Sequence, residues 1–290
     1  MIKSIDLMIV GAQKAGTSSL LRYLGNHSSI CIHEKPEILF FLIDEEYQKG
    51  YPWAFNRYFG HCGDNKKLLF AKNVGIMYWP EAIKRLKEHN PDIHLVPILR
   101  NPVDRAYSAY WFARRKGWEN IKTFEEALKA EETRKKEDTF KWRNCLYLER
   151  GNYYKHIVNI FEHFRKEQVH IYLFENLTSN PVRVCKEICS IFSLDYKREI
   201  KCRHNVAAMA RSERLTRILR RIGKSESALK NILKAIIPES LKNSLLKLNE
   251  GEFSPPQMKE ETRKALVGFY KKPNQMLVEL IGRDLSRWSR

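Results

Sequence analysis

No stretch of this 290-residue chain holds the roughly 18 consecutive apolar residues that a membrane-spanning helix needs. No charged leader and no short apolar signal segment precede the strand-like Ile5-Asp6-Leu7-Met8-Ile9-Val10, which sets the expectation of a cytoplasmic protein with free thiols. Cysteine is sparse, and Cys31, Cys62, Cys145, Cys185, Cys189 and Cys202 show no metal-type spacing; Cys185 and Cys189 fall on one helix face. Repeats and low-complexity tracts are missing, and a hydrophobic content of 43% with 11% aromatics excludes a disordered chain. Acid is also in deficit: 34 Asp and Glu face 52 Lys and Arg, a formal charge of +18. That balance favours anionic partners, either nucleic acid or a multiply charged small molecule, without separating them.

What is present is concentrated first in residues 5–24. A branched apolar run, a short loop framed by Gly11 and Gly16, and leucines at 20, 21 and 24 predict a strand, an anion-binding loop and a helix. The first amides of a helix lack intrahelical partners and the helix dipole adds positive potential there, so phosphate is the natural ligand. Lys14 places one cation inside the loop, and Thr17, Ser18 and Ser19 add hydroxyl donors. The glycine spacing is that of a nucleotide P-loop, but Thr17 stands where its lysine would be.

Gly11-x-x-Lys14-Ala15-Gly16-Thr17-Ser18-Ser19-Leu20 after an N-terminal strand resembles the 5′-phosphosulfate loop of sulfotransferases that use 3′-phosphoadenosine 5′-phosphosulfate (PAPS). The resemblance implies a P-loop-like three-layer α/β/α domain over residues 1–290, with a central, mainly parallel sheet. PAPS would be the cosubstrate, 3′-phosphoadenosine 5′-phosphate (PAP) the product, and no metal would be needed. Lys14, Ala15, Gly16, Thr17, Ser18 and Ser19 would then hold the donor's 5′ end.

Further along, Lys35-Pro36-Glu37-Ile38-Leu39-Phe40-Phe41 lies in a loop after the strand-like Ile30-Cys31-Ile32. It is similar to the Lys-Glu-x-x-Phe-Phe motif of the heparan sulfate branch, whose Glu is the catalytic base. Counting back from the phenylalanines assigns that role to Glu37; His33 and Glu34 are the reserves. Read without the family, the same charges form a solvated loop. Ala71-Lys72-Asn73 resembles the family's Glu-Lys-Ser/Thr segment only at Lys72, which the resemblance makes a second active-site lysine.

A buried strand then ends in Arg100-Asn101-Pro102-Val103-Asp104-Arg105-Ala106-Tyr107-Ser108. This resembles the family's 3′-phosphate site, which makes Arg100 and Ser108 ligands of that phosphate; an arginine fork suits phosphate bidentately. A P-loop kinase would tend to end a strand here in a magnesium-binding Asp.

Other expectations are structural. A helix starts with Pro80 at its first position and runs to about His89, and another is capped at Thr123. Glu131 to Glu137 reads as a solvated face, and a strand is expected over residues 169–174. Tyr153 is either a core residue or a cosubstrate contact. His204-Asn205 reads as a ligand loop, and the arginine run within 210–250 as a solvated helix face or a lid. The ending resembles the family's: a helix from Phe253 to Lys272, a break at Pro273, and a second helix packed on the sheet. The reading is therefore a PAPS-dependent sulfotransferase acting on a small molecule or glycan. The alternatives are a P-loop kinase and a basic nucleic-acid-binding module, the latter supported by charge alone.

Overall fold

The computed structural model describes residues 3–63, 67–137, 143–197, 208–210, 250–252 and 255–289. It divides into two compact units, one of Met1–Ala106, Leu148–Lys201 and Lys264–Arg290, the other of Tyr107–Tyr147 and Cys202–Arg263. His204, Asn205 and the arginine run lie outside the described residues.

The first unit is built on five parallel strands, β1 Leu7–Gly11, β2 Ile30–Ile32, β3 Leu68–Lys72, β4 His94–Leu99 and β5 Tyr172–Leu173, in the order β2-β3-β1-β4-β5. Every residue of β1 is buried, as the central strand of a sheet covered on both faces requires. The chain leaves β1 toward one edge and returns past it to β4, so β1 sits at the switch point, outside whose carboxyl end α/β sheets bind ligands. The loop after β1, the segment after β3 and Arg100 after β4 all emerge at that end.

Flanking helices follow the expected chemistry. Helix α1, Thr17–Leu24, buries Thr17, Leu20, Leu21 and Leu24 along one stripe. Among the later helices, Pro80–His89 begins at Pro80 as expected and buries Ala82, Ile83 and Leu86. Helix Pro181–Ile191 is capped by the Asn180 side chain, which accepts from the Arg183 N–H at 2.9 Å, and buries Cys185 and Cys189 on its inner face. Each helix thus buries an apolar stripe in the core that also takes in the strands, at roughly 25 cal/mol per Å² of apolar surface removed from water. Among the described residues no helix is long and apolar enough to cross a membrane.

Four local expectations change. Cys31 and Cys62 are joined by a disulfide rather than free; Cys145, Cys185 and Cys189 are free and buried, and Cys202 is outside the described residues. Glu131 and Arg134 are buried rather than solvated. Their three-residue spacing turns both inward in the second unit, where Arg134 pairs with buried Glu119 at 2.7 Å and Glu131 accepts the Tyr147 N–H at 2.6 Å. The strand expected over 169–174 contracts to Tyr172–Leu173: Val169, just after the one-turn helix Lys166–Gln168, makes only an isolated bridge to Leu95, and helix Phe174–Ser179 begins at once. At the C-terminus, one helix, Glu260–Ile281, runs through Pro273 without a break, and Trp288 beyond it packs on Tyr153. The expected cap at Thr123 is present: its hydroxyl accepts from the Glu126 N–H at 3.3 Å.

Candidate functional site

The loop between β1 and α1 is shaped by two glycines for different reasons. A Cβ at Gly11 would lie 2.1 Å from the Met77 sulfur, so this position has no room for a side chain. Gly16 has φ +80°, and a Cβ there would meet Leu177 at 2.9 Å. Between them Lys14 holds φ 71°, a left-handed conformation that is costly for a non-glycine residue. Its carbonyl is held by Arg100, whose Nη1 donates to Lys14 O at 2.9 Å. The Arg100 guanidinium stacks on the Phe174 ring at 4.7 Å, and Tyr153 donates to the Arg100 carbonyl at 2.9 Å. Burial pulls the Arg100 pKa below its ordinary value, with nearby Asp104 opposing. The loop and the end of β4 are thereby one connected structure, and Tyr153 is a core residue that anchors it.

Ala15 and Thr17 are buried, whereas Ser18 is exposed and Ser19 partly so, at the start of α1. Ser108 lies on helix Pro102–Arg115, in the second unit.

Glu37 and Lys72 meet directly. The buried Lys72 ammonium, at the end of β3, donates to Glu37 Oε1 and, at 2.6 Å, to the Pro36 carbonyl. The Val74 N–H donates to Glu37 Oε2 at 3.1 Å. Burial raises the Glu37 pKa, while the Lys72 charge and the hydrogen bonds work against that rise. In register, β3 lies beside β1 with Lys72 opposite Ile9, so the pair stands next to the strand that feeds the Lys14 loop.

His33, one of the two reserves, supports the Lys72 strand. Its Nε2 accepts from the Lys72 backbone N–H at 3.1 Å, which puts the ring proton on Nδ1 and occupies the lone pair a base would need. Burial, then the charge of Lys72, pulls its pKa down to about 4, so the ring is neutral at physiological pH. Glu34, the other reserve, is exposed and faces His61 at 3.7 Å.

Sequence reasoning missed three contributors. Asn73 replaces the family's hydroxyl residue, and its buried amide donates to the Ile38 carbonyl at 2.6 Å and accepts from the Gly75 N–H at 2.8 Å. It clamps the Glu37 loop to the lysine strand. An Asn73→Ala variant leaves the Ile38 carbonyl unpaired, at about 1–3 kcal/mol. At roughly 2–4 °C per kcal/mol for a chain of this size, calorimetry should show the melting temperature fall by about 2–12 °C. Buried Arg150 donates to the Gln13 side chain at 3.3 Å and lies over the Tyr78 ring at 4.9 Å, adding a cation beside the loop. Phe174 touches both Arg100 and the space beside Gly16. Arg150 left a sequence signal in its place directly before Gly151-Asn152-Tyr153, and Asn73 in its departure from the family's Glu-Lys-Ser/Thr segment.

A loop with a cation and helix-start amides, an arginine tied to it, and a carboxylate paired with a lysine on the neighbouring strand suit transfer of an anionic group. The sequence pattern of the sulfotransferase domain family matches residues 4–283. The chain belongs to the sulfotransferase family. It is 28% identical over 190 residues to the bifunctional heparan sulfate N-deacetylase/N-sulfotransferase 1 of Xenopus laevis, covering 63% of this chain and 21% of that one. Over 109 residues it is 29% identical to the membrane-associated sulfotransferase kil1 of Dictyostelium discoideum, covering 37% and 23% of the two chains. This sulfotransferase chain spans about a fifth of the length of these curated relatives. The crystal structure of a sulfotransferase from Alicyclobacillus acidocaldarius superposes with a TM-score of 0.70 at 25% identity, covering 100% of both chains. The parallel sheet with flanking helices is therefore the sulfotransferase fold.

Proposed function

We propose that this sulfotransferase moves a sulfuryl group from PAPS to a hydroxyl or amine of a small-molecule or glycan acceptor, a tailored natural product being the favoured class. The observation that carries the reading is the Lys72–Glu37 pair standing beside the strand that feeds the Lys14 loop. A base for the acceptor and cations for the leaving phosphate are the two requirements of the reaction.

In this reading Glu37 takes the acceptor's proton. Each of its oxygens already accepts one hydrogen bond, from Lys72 or from Val74, and a carboxylate oxygen has a second lone pair to offer. Lys14 neutralises charge on the phosphate oxygen that leaves, and Lys72 supports charge developing at the transferring group. Arg100 and Ser108 bind the 3′-phosphate, and Thr17, Ser18 and Ser19 the 5′ end. Arg100 also fixes the Lys14 carbonyl, so donor recognition and loop shape share one residue. Most of the rate acceleration would come from positioning and electrostatics, as in phosphoryl transfer.

Calorimetric titration with PAP, AMP and magnesium ATP tests the donor. The expected outcome is binding of PAP without metal and at least tenfold more tightly than AMP, about 1.4 kcal/mol for the 3′-phosphate. Preference for magnesium ATP would point to a kinase and end the proposal.

A further inference from the structure

Behind the Glu37 loop lies a cluster that the sulfotransferase reaction does not use. Cys31 is in β2, and His61 and Cys62 are in the one-turn helix Gly60–Cys62 that follows helix Tyr51–Phe59. Their ligand atoms all lie within 4.8 Å of one another. We propose that, once the Cys31–Cys62 disulfide is reduced, Cys31, His61 and Cys62 bind a soft divalent cation, zinc above all.

The geometry of the imidazole carries the inference. His61 Nε2 lies 3.6 Å from the Cys31 sulfur and 3.8 Å from the Cys62 sulfur. In a tetrahedral zinc site, bond lengths of about 2.3 Å to sulfur and about 2.05 Å to nitrogen set the sulfur–nitrogen edge at about 3.6 Å. Two of the three edges are therefore already in place. The third, between the sulfurs, needs about 3.8 Å and opens only when the disulfide is cleaved. A disulfide by itself has no need of an imidazole nitrogen shared between its two sulfurs.

The other face of the ring fits as well. Nδ1 faces Glu34 Oε1 at 3.7 Å, and a carboxylate behind a histidine keeps the far nitrogen's lone pair free for metal. Two thiolates and an imidazole select zinc-like ions over magnesium or calcium. The sulfurs are buried and His61 is exposed, which leaves the fourth coordination position toward solvent.

The redox step balances. A dithiol gives two electrons and two protons to the Cys31–Cys62 bond and ends as its own disulfide; metal binding then releases those two protons from the thiols. The ion would be structural. Cys31 stands two residues before His33, which accepts the Lys72 N–H, and Tyr58 on the adjoining helix accepts the Leu39 N–H at 3.1 Å. The site would thus brace the loop that carries Glu37, and it stands whether or not the donor is PAPS.

The test is cobalt titration of the full chain, reduced with a phosphine that is then removed under anaerobic conditions. One equivalent of cobalt should give intense visible bands of a tetrahedral ion with thiolate charge transfer, and zinc should abolish them. The oxidised protein should give none. Cys62→Ser should lose the bands, and His61→Ala, at an exposed position that folding tolerates, should weaken cobalt at least tenfold. Weak octahedral bands alone, or tetrahedral bands unchanged in either variant, would overturn the proposal.

Discussion

Replacing Glu37 by Gln should lower turnover by about two to four powers of ten, the range that a positioned general base supplies. PAP binding should be unchanged, because the substitution removes no group assigned to the donor. The glutamine oxygen can still accept from Val74 or Lys72, and the loop stays clamped through Asn73 to the Ile38 carbonyl. The pH dependence provides a second readout. Burial raises the Glu37 pKa from the ordinary 4.5, and Lys72 only partly opposes it. A base works deprotonated, so wild-type kcat should fall as pH drops through a midpoint above that ordinary value. In the variant this acid limb should disappear and the residual rate should run flat across the same window. Wild-type-like turnover, or a variant that keeps the acid limb, would move the base elsewhere; His33, its Nε2 already occupied, would not take its place.

The surroundings of Glu37 also show what the sequence could and could not reveal. The Lys14 loop was legible because a strand, two glycines and a helix are local patterns, each with one steric or electrostatic cause. Gly11 and Gly16 prove necessary for reasons of room and of φ at the expected positions. Family resemblance singled out Lys72 and Glu37 separately, but their contact joins residues 35 apart and no periodicity encodes it. The same holds for Cys31 with Cys62, 31 residues apart, whose pairing depends on where helix Tyr51–Phe59 returns the chain. Glu131 and Arg134 misled for a different reason. Charge predicts exposure unless a partner is at hand, and the partners, Tyr147 and Glu119, lie well outside the charged run. Asn73 stood out in the sequence only as a departure from the family's Glu-Lys-Ser/Thr segment; in the structure its amide ties the Glu37 loop to the strand that carries Lys72.

The second large effect is expected at Arg100. Its guanidinium holds the Lys14 carbonyl and lies over Phe174, so Arg100→Ala removes a charge-assisted hydrogen bond and a cation–π contact at once. If it also binds the 3′-phosphate, a loss of about 3 kcal/mol, roughly two powers of ten in PAP affinity, follows. AMP lacks that phosphate and should lose only the part that acts through the Lys14 loop, a few-fold. Arg100→Lys keeps the charge but gives up the planar fork and the stacking, so it should fall between the two. Adding Ser108→Ala should weaken PAP further while leaving AMP as it was, and so erode the preference for PAP, since a hydroxyl on the 3′-phosphate contributes nothing to AMP. Parallel titrations of the four proteins with both nucleotides separate the two roles of Arg100. A loss confined to PAP marks phosphate recognition, and an equal loss for PAP and AMP would mean that Arg100 only shapes the loop and that the 3′-phosphate is held by other residues.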